Sequence, residues 1–150
     1  MVAIAPTEWA AGLVAFLEPA LLRADGDTWV KCAAGRDVED RGHYFLCLAV
    51  QEGLCVAAPL YSTFQPDRLT LDETGKHGHA PQWRGNAGSY VHPWQLWRFS
   101  RATGSAASPN DNSPVHDRRR YDKPEAILAI IGPNVRGMDW RRPSPVAPTP

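Results

Sequence analysis

The stretch from Gly42 to Thr63 constrains the fold more than any other part of the sequence. It holds two runs of seven nearly continuous apolar residues on either side of Gln51-Glu52-Gly53. Apolar runs rich in β-forming residues that meet at a Glu-Gly turn predict a β-hairpin. We expect both strands to lie in the core, because their apolar character is unbroken. The polar cluster Tyr61-Ser62-Thr63 closes the second strand.

The length and the cysteines limit the class of protein. A chain of 150 residues corresponds to one domain that needs no disulfide or metal for stability. The apolar runs fall short of the roughly 18 residues of a membrane span, and the N-terminus lacks the basic flank of a signal peptide. Three cysteines, Cys32, Cys47 and Cys55, cannot all pair within one chain. We therefore expect a cytoplasmic protein with reduced thiols and no membrane partner; the alternative is a secreted protein with a Cys47–Cys55 bridge.

The formal charge is zero, but the two halves of the chain differ. Residues 1–75 carry five Lys/Arg against eleven Asp/Glu, and residues 76–150 carry eleven against five, so the halves are −6 and +6. Such asymmetry predicts either a polyanion-binding face in the second half or two halves that pack together and neutralise each other.

The remaining segments are assigned from hydrophobic spacing and turn residues. Residues 7–23 place Trp9, Leu13, Phe16 or Leu17, and Leu21 at helical spacing, which predicts an amphipathic helix. Pro19 is expected to kink this helix or to start a second short turn, and the helix either packs on the core or binds a partner. Further strands are predicted over 28–32, 69–71, 89–91 and 93–99, charged or polar loops over 35–42 and 72–88, and a flexible connection over 101–112. Residues 124–131 predict a short helix stopped by Gly132-Pro133, with a strand as the alternative.

These elements predict an α+β fold, a small SH3-like, strongly bent antiparallel β-barrel with flanking N- and C-terminal helices. The expected organisation is an N-terminal helical segment over residues 1–24, a barrel domain with its C-terminal helix over 25–132, and a Pro-rich tail over 133–150.

The order of the segments resembles the MazF/PemK-like toxin barrels, including the ToxN-related proteins, over about residues 26–99. Gly26 to Val30 is similar to that family's opening strand, and Gly42-His43 before an apolar run stands where the family has a Gly, a basic residue and a strand. Ala58 to Thr63 is similar to a family strand that ends in Thr-Ser, and Pro93 to Leu96 is similar to a late strand. The resemblance implies a toxin-like, metal-independent endoribonuclease that cleaves single-stranded RNA without a cofactor.

Such cleavage needs a base for the ribose 2′-hydroxyl, an acid for the leaving 5′-oxygen, and cations or donors for the charged phosphorane. The resemblance assigns donors to Ser62 and Thr63. The family's arginine on the second strand has no counterpart, because Tyr44 stands at the aligned position. We therefore predict that His43 serves as acid or base and that Arg41 or Lys76 stabilises phosphate charge; the alternative for His43 is a strand cap at the surface.

Aromatic and cationic residues alternate after residue 82, which is typical of surfaces that bind single-stranded RNA. The predicted RNA-binding residues are Lys76, Trp83, Arg84 and Arg98. Trp83 and Arg84 are expected to be exposed, because they lie in a Gly/Asn-rich loop. The alternative places most of the aromatic side chains in the core.

Two further clusters of polar residues are interpreted as having no role in a site. His77-Gly78-His79, with His43 and His92, matches no zinc signature, so we expect no metal. Arg118-Arg119-Arg120 is interpreted as a solvated run, with phosphate contact as the alternative.

The sequence therefore supports two hypotheses from different classes. The first is the endoribonuclease, which an antitoxin or inhibitory partner would hold inactive by binding the acidic first half or the helix over 7–23. The second is a non-enzymatic SH3-like barrel that binds nucleic acid or a protein, and the missing arginine favours it.

Overall fold

The computed structural model describes residues 3–32, 42–80, 83–84, 88–109 and 112–143. The strands in these ranges are β1 (Val14–Leu17), β2 (Trp29–Cys32), β3 (His43–Gln51), β4 (Leu54–Tyr61), β5 (Leu69–Thr70), β6 (Lys76–His77), β7 (Tyr90–Val91), β8 (Gln95–Ser100) and β9 (Arg120–Tyr121). The α-helices are α1 (Pro19–Ala24), α2 (Arg101–Ala106) and α3 (Pro124–Val135). Single 3-10 turns form at Pro6–Glu8, Glu73–Gly75 and Val115–Asp117.

The predicted hairpin is confirmed as β3 and β4. The two strands are antiparallel, with Phe45 opposite Pro59 and Gln51 opposite Leu54. Glu52 and Gly53 form the two-residue connection, and their φ angles of 55° and 79° are both positive. Positive φ at both positions is the geometry whose twist matches that of the paired strands, so this turn sets the register of the hairpin.

Both faces of the hairpin are buried, as the unbroken apolar runs predict. Phe45 and Cys47 face one hydrophobic cluster, together with Trp9, Leu22 of α1 and Ala107 after α2, whereas Leu46 and Leu48 face a second cluster, together with α3. Side chains alternate across a strand, so a strand that is covered on both faces requires apolar residues at every position. The sheet is thus the central layer between two sets of helices and loops.

The fold is α+β, with a mostly antiparallel sheet. Five strands follow the order β1-β3-β4-β8-β2, and the C-terminal end of β4 also pairs with β7, which pairs with β5. β6 and β9 form a separate two-stranded ribbon. The predicted SH3-like barrel is not confirmed: among the described residues the sheet does not close, because β1 and β2 end the five-strand path without pairing to each other.

The predicted helix over residues 7–23 is also wrong. Gly12, with a φ of 98°, leads into β1, and the helix α1 begins only at Pro19. β1 pairs with β3, and Leu13 to Leu17 face both clusters in alternation. Pairing with a core strand and burial on both faces outweighed the helical spacing, which was only a weak local preference.

The second half of the chain is more ordered than its composition predicted. The helix over 124–131 is confirmed, but it continues through Pro133 to Val135. The connection predicted to be flexible contains α2, whose N-cap Ser100 accepts a hydrogen bond from the Thr103 amide. After α3, Arg141 exchanges two backbone hydrogen bonds with Val30 and covers the outer edge of β2. Residues 144–150 of the predicted tail and residues 35–41 of the predicted loop lie outside the described residues.

Candidate functional site

A cleft of about 990 Å³ opens where β3 begins and β4 ends. Because the two strands are antiparallel, the first residues of β3 lie beside the last residues of β4. His43, Ser62 and Thr63, three of the four predicted catalytic residues, all line this cleft. The fourth, Arg41, lies outside the described residues, although its neighbour Gly42 lines the cleft.

His43 and Tyr61 form the contact between the two strand ends. Their rings meet edge to face, with centroids 5.4 Å apart. His43 is half-buried, with its Nε2 buried, while Ser62 and Thr63, which follow β4, are exposed. The cleft therefore combines an imidazole with two hydroxyl donors.

Arg68 contributes a cation to the same cleft. Its Nη1 donates a hydrogen bond of 2.8 Å to the Thr63 carbonyl, and its guanidinium carbon lies 4.1 Å from the centre of the Tyr61 ring. Its buried Nε has no hydrogen-bond partner among the residues that the structure describes. Stacking and one hydrogen bond hold the planar group in place and leave part of its donor capacity for a ligand.

Arg119 contributes the second cation. Its guanidinium lies 4.1 Å from the centre of the Tyr44 ring and 5.7 Å from that of Trp83. Burial lowers the pKa of Arg119 below its ordinary value, with an opposing effect from Tyr44. Arginine nevertheless keeps its charge at physiological pH, so the cleft holds two ring-stacked guanidinium groups.

The charge of the cleft is one-sided. Of the described residues that line it, Arg68 and Arg119 are cationic, and none is an aspartate or glutamate. A concave surface with low-dielectric aromatic walls and one sign of charge concentrates ligands of the opposite sign. The cleft is thus suited to an anion.

Two predicted RNA-binding residues, Trp83 and Lys76, are internal, and for Trp83 this corrects the expected exposure. Trp83 is 1% exposed, and its Nε1 donates a hydrogen bond of 2.8 Å to the His77 carbonyl. Lys76 is also 1% exposed, and its Nζ donates to Glu73 Oε1, the Trp83 carbonyl and Ser89 Oγ at 2.8, 2.8 and 2.9 Å. All three ammonium protons are used, so Lys76 supports the cleft wall from behind instead of facing a ligand.

The other two predicted RNA-binding residues do not line the cleft. Arg84 is exposed beside Trp83. Arg98 lies on β8, with its guanidinium 4.5 Å from the centre of the Trp140 ring, beside a smaller depression formed with Gln51 and Glu52. The aromatic and cationic residues of this stretch therefore do not form one binding surface. On β8 their alternation reflects packing of the strand instead.

The sequence analysis did not single out Arg68. Arg119 belongs to the run interpreted as solvated, with phosphate contact as the alternative, and only Arg120 of that run is exposed. Arg118 is 3% exposed and binds the Glu8 carboxylate, with Nε 2.9 Å from Oε1. The usable signal was the proximity of Tyr44 and Tyr61 to the predicted site, since aromatic rings are frequent partners of guanidinium groups.

The cysteines are free thiols in the structure. Cys47 and Cys55 face the same cluster from adjacent strands. A hydrogen bond with Cys55 and burial raise the pKa of Cys47 well above its ordinary value. These thiols pack as small apolar groups.

The histidines of the loop are paired with carboxylates. His77 lies 3.4 Å from Asp122, and His79 lies 3.0 Å from Asp117. Within the described ranges, no three His, Cys, Asp or Glu side chains gather in a way that could hold a metal ion. No helix in the same part of the chain has the length and apolar composition needed to cross a membrane.

Comparison of the chain with models of protein families, with curated proteins and with solved structures gives no significant match.

Proposed function

We propose that the cleft binds single-stranded RNA and cleaves its backbone by a metal-independent reaction. The observation that carries the proposal is the convergence of Arg68, Arg119 and His43 on one cleft that no described carboxylate lines. Phosphodiesters are the anions for which paired guanidinium groups and a titrating imidazole are both useful. The resemblance of the segment order to MazF/PemK-like toxins supports the same reaction.

In this reaction, His43 accepts the proton of a ribose 2′-hydroxyl while the O2′–P bond forms. The P–O5′ bond breaks, and the imidazolium returns the proton to the 5′-oxygen through a water molecule. The products are a 2′,3′-cyclic phosphate and a 5′-hydroxyl. Arg68 and Arg119 neutralise the charge on the phosphorane, and Ser62 and Thr63 donate hydrogen bonds to its oxygens.

The proposal is tested by incubating a long mixed-sequence RNA with the purified protein in EDTA. We expect cleavage by the wild type, a loss of about 10²- to 10⁴-fold in His43→Ala, and a comparable loss in Arg68→Gln. Arg136→Gln is the matched control, because Arg136 is exposed at the end of α3 and does not line the cleft. An RNA with 2′-deoxyribose at the cleaved position should resist the wild type.

Wild-type cleavage rates in both His43→Ala and Arg68→Gln would show that this cleft is not the active site. Loss of activity in EDTA with recovery on adding a divalent cation would refute the metal-independent reaction.

We propose, as the second candidate, a non-enzymatic module that binds nucleic acid. The observation that favours it is that the described cleft residues include one imidazole, His43, and no carboxylate, whereas RNA cleavage uses both a base and an acid. Tight binding of RNA that stays intact over long incubation would select this candidate.

A further inference from the structure

Phe64 is exposed in a way that the fold does not require. It is 62% exposed, more than the other large apolar side chains that the structure describes, including Leu21 and Val115. Its chain neighbours Thr63 and Gln65 both line the cleft. Phe64 therefore stands at the rim of the proposed RNA site.

The ring of Phe64 is held by an aromatic contact. It meets the Tyr90 ring edge to face, with centroids 5.8 Å apart and planes at 72°. Tyr90 stands opposite Tyr61 in the pairing of β7 with β4, and Tyr61 lines the cleft and lies under Arg68. The Phe64 ring is thus anchored on the strand that pairs with the end of β4 beside the cleft.

We propose that Phe64, supported by Tyr90, is a stacking platform for an unpaired nucleobase of a strand whose phosphates lie against Arg68 and Arg119. The inference rests on the proposed RNA-binding function and adds a base-binding position to it. Every nucleobase presents a π-face, so one exposed ring beside a cationic cleft is sufficient to hold a base without reading its identity.

A protein partner fits the surroundings of Phe64 less well. Protein interfaces bury contiguous apolar patches, whereas the residues that follow β4 around Phe64 are polar: Ser62, Thr63, Gln65 and Asp67. The cleft beside the ring is cationic, which complements a phosphate backbone. We therefore assign the ring to a base.

The test compares two non-cleavable strands of equal length, a 2′-O-methyl RNA octamer and an abasic octamer, by fluorescence anisotropy. Phe64→Ala should weaken binding of the RNA octamer about tenfold and leave binding of the abasic octamer unchanged. Phe64→Trp should retain or improve binding of the RNA octamer. Arg68→Gln should weaken binding of both strands, because it removes a contact to the backbone.

Each other outcome overturns the inference in a distinct way. Equal affinity of Phe64→Ala and wild type for the RNA octamer would leave the proposed function intact, but would remove the base platform and make a protein anchor the better reading of Phe64. Equal weakening for both strands would mean that Phe64 only shapes the rim. Failure of the wild type to bind either strand would reject the proposed function and the platform together.

Discussion

Replacement of Lys76 by methionine tests whether the wall of the cleft is built as the structure describes. The Lys76 ammonium is buried and bonded to Glu73 Oε1, the Trp83 carbonyl and Ser89 Oγ, and it lies 4.6 Å from the centre of the Trp83 ring. Methionine keeps most of the apolar stem but donates no hydrogen bond. The Trp83 carbonyl and the Ser89 hydroxyl would each lose a buried partner.

We expect Lys76→Met to lower the free energy of unfolding by about 2–4 kcal/mol, because each buried polar group left without a partner costs about 1–3 kcal/mol. The Glu73 side chain is 39% exposed, so water can rehydrate its carboxylate and limit the loss. For a domain of this size, such a loss corresponds to a decrease in Tm of roughly 5–15 °C.

Urea unfolding followed by tryptophan fluorescence measures the change. The matched control is Lys123→Met, which removes an ion pair with Asp72 in which both side chains are 51% exposed. That pair should contribute less than about 1 kcal/mol. If the two variants lose the same small amount, Lys76 is solvated, and the described support of the cleft wall is refuted.

Two further predictions concern stability. Glu52→Asn should raise the free energy of unfolding by about 0.5–1 kcal/mol, because asparagine adopts a φ of 55° more readily than glutamate. Gly53→Ala should lower it by about 1 kcal/mol, because alanine is strained at a φ of 79°. Urea midpoints measure both changes, and a decrease for Glu52→Asn would contradict the turn geometry. The hydrogen bond from Arg118 holds the pKa of Glu8 below its ordinary value of 4.5, so the pair stabilises the fold above that pH and is lost as the pH falls through the folded-state pKa. Glu8→Gln should therefore be less stable than wild type at pH 7 and lose less stability than wild type on acidification below pH 4.5, measured by thermal unfolding at each pH. Parallel pH profiles of the two proteins would refute the role of this pair.

The elements predicted correctly are those whose signals are local. The hairpin β3–β4 follows from two apolar runs and a Glu-Gly turn, and α3 follows from a proline at its first position before an apolar stretch. Backbone conformation depends on neighbours in the chain, so such patterns suffice for it. They also placed His43, Ser62 and Thr63 at one end of the sheet, because a hairpin joins the start of one strand to the end of the next.

The elements predicted wrongly depend on distant parts of the chain. Residues 14–17 form a strand because they pair with the edge of β3 in the core. The periodicity of apolar residues within one segment carries no information about such a distant pairing partner. Lys76 is buried because Glu73, the Trp83 carbonyl and Ser89 accept its three protons. The Trp83 indole is buried because its Nε1 donates to the His77 carbonyl. A charged group or an indole N–H is generally buried only where hydrogen-bond partners surround it.

The sequence by itself determined the central hairpin and the end of the sheet where the candidate site lies. Burial on both faces follows from unbroken apolar runs, and the tight turn follows from the Glu-Gly pair between them. The tertiary structure alone decided which cations reach that site. Arg68 and Arg119 come from separate segments and meet at one cleft over Tyr61 and Tyr44. Arg118, the neighbour of Arg119, is held by Glu8 from the other end of the chain. The physical reason is that the environment of a long charged side chain is set by the groups it contacts in space, and no local pattern encodes those contacts.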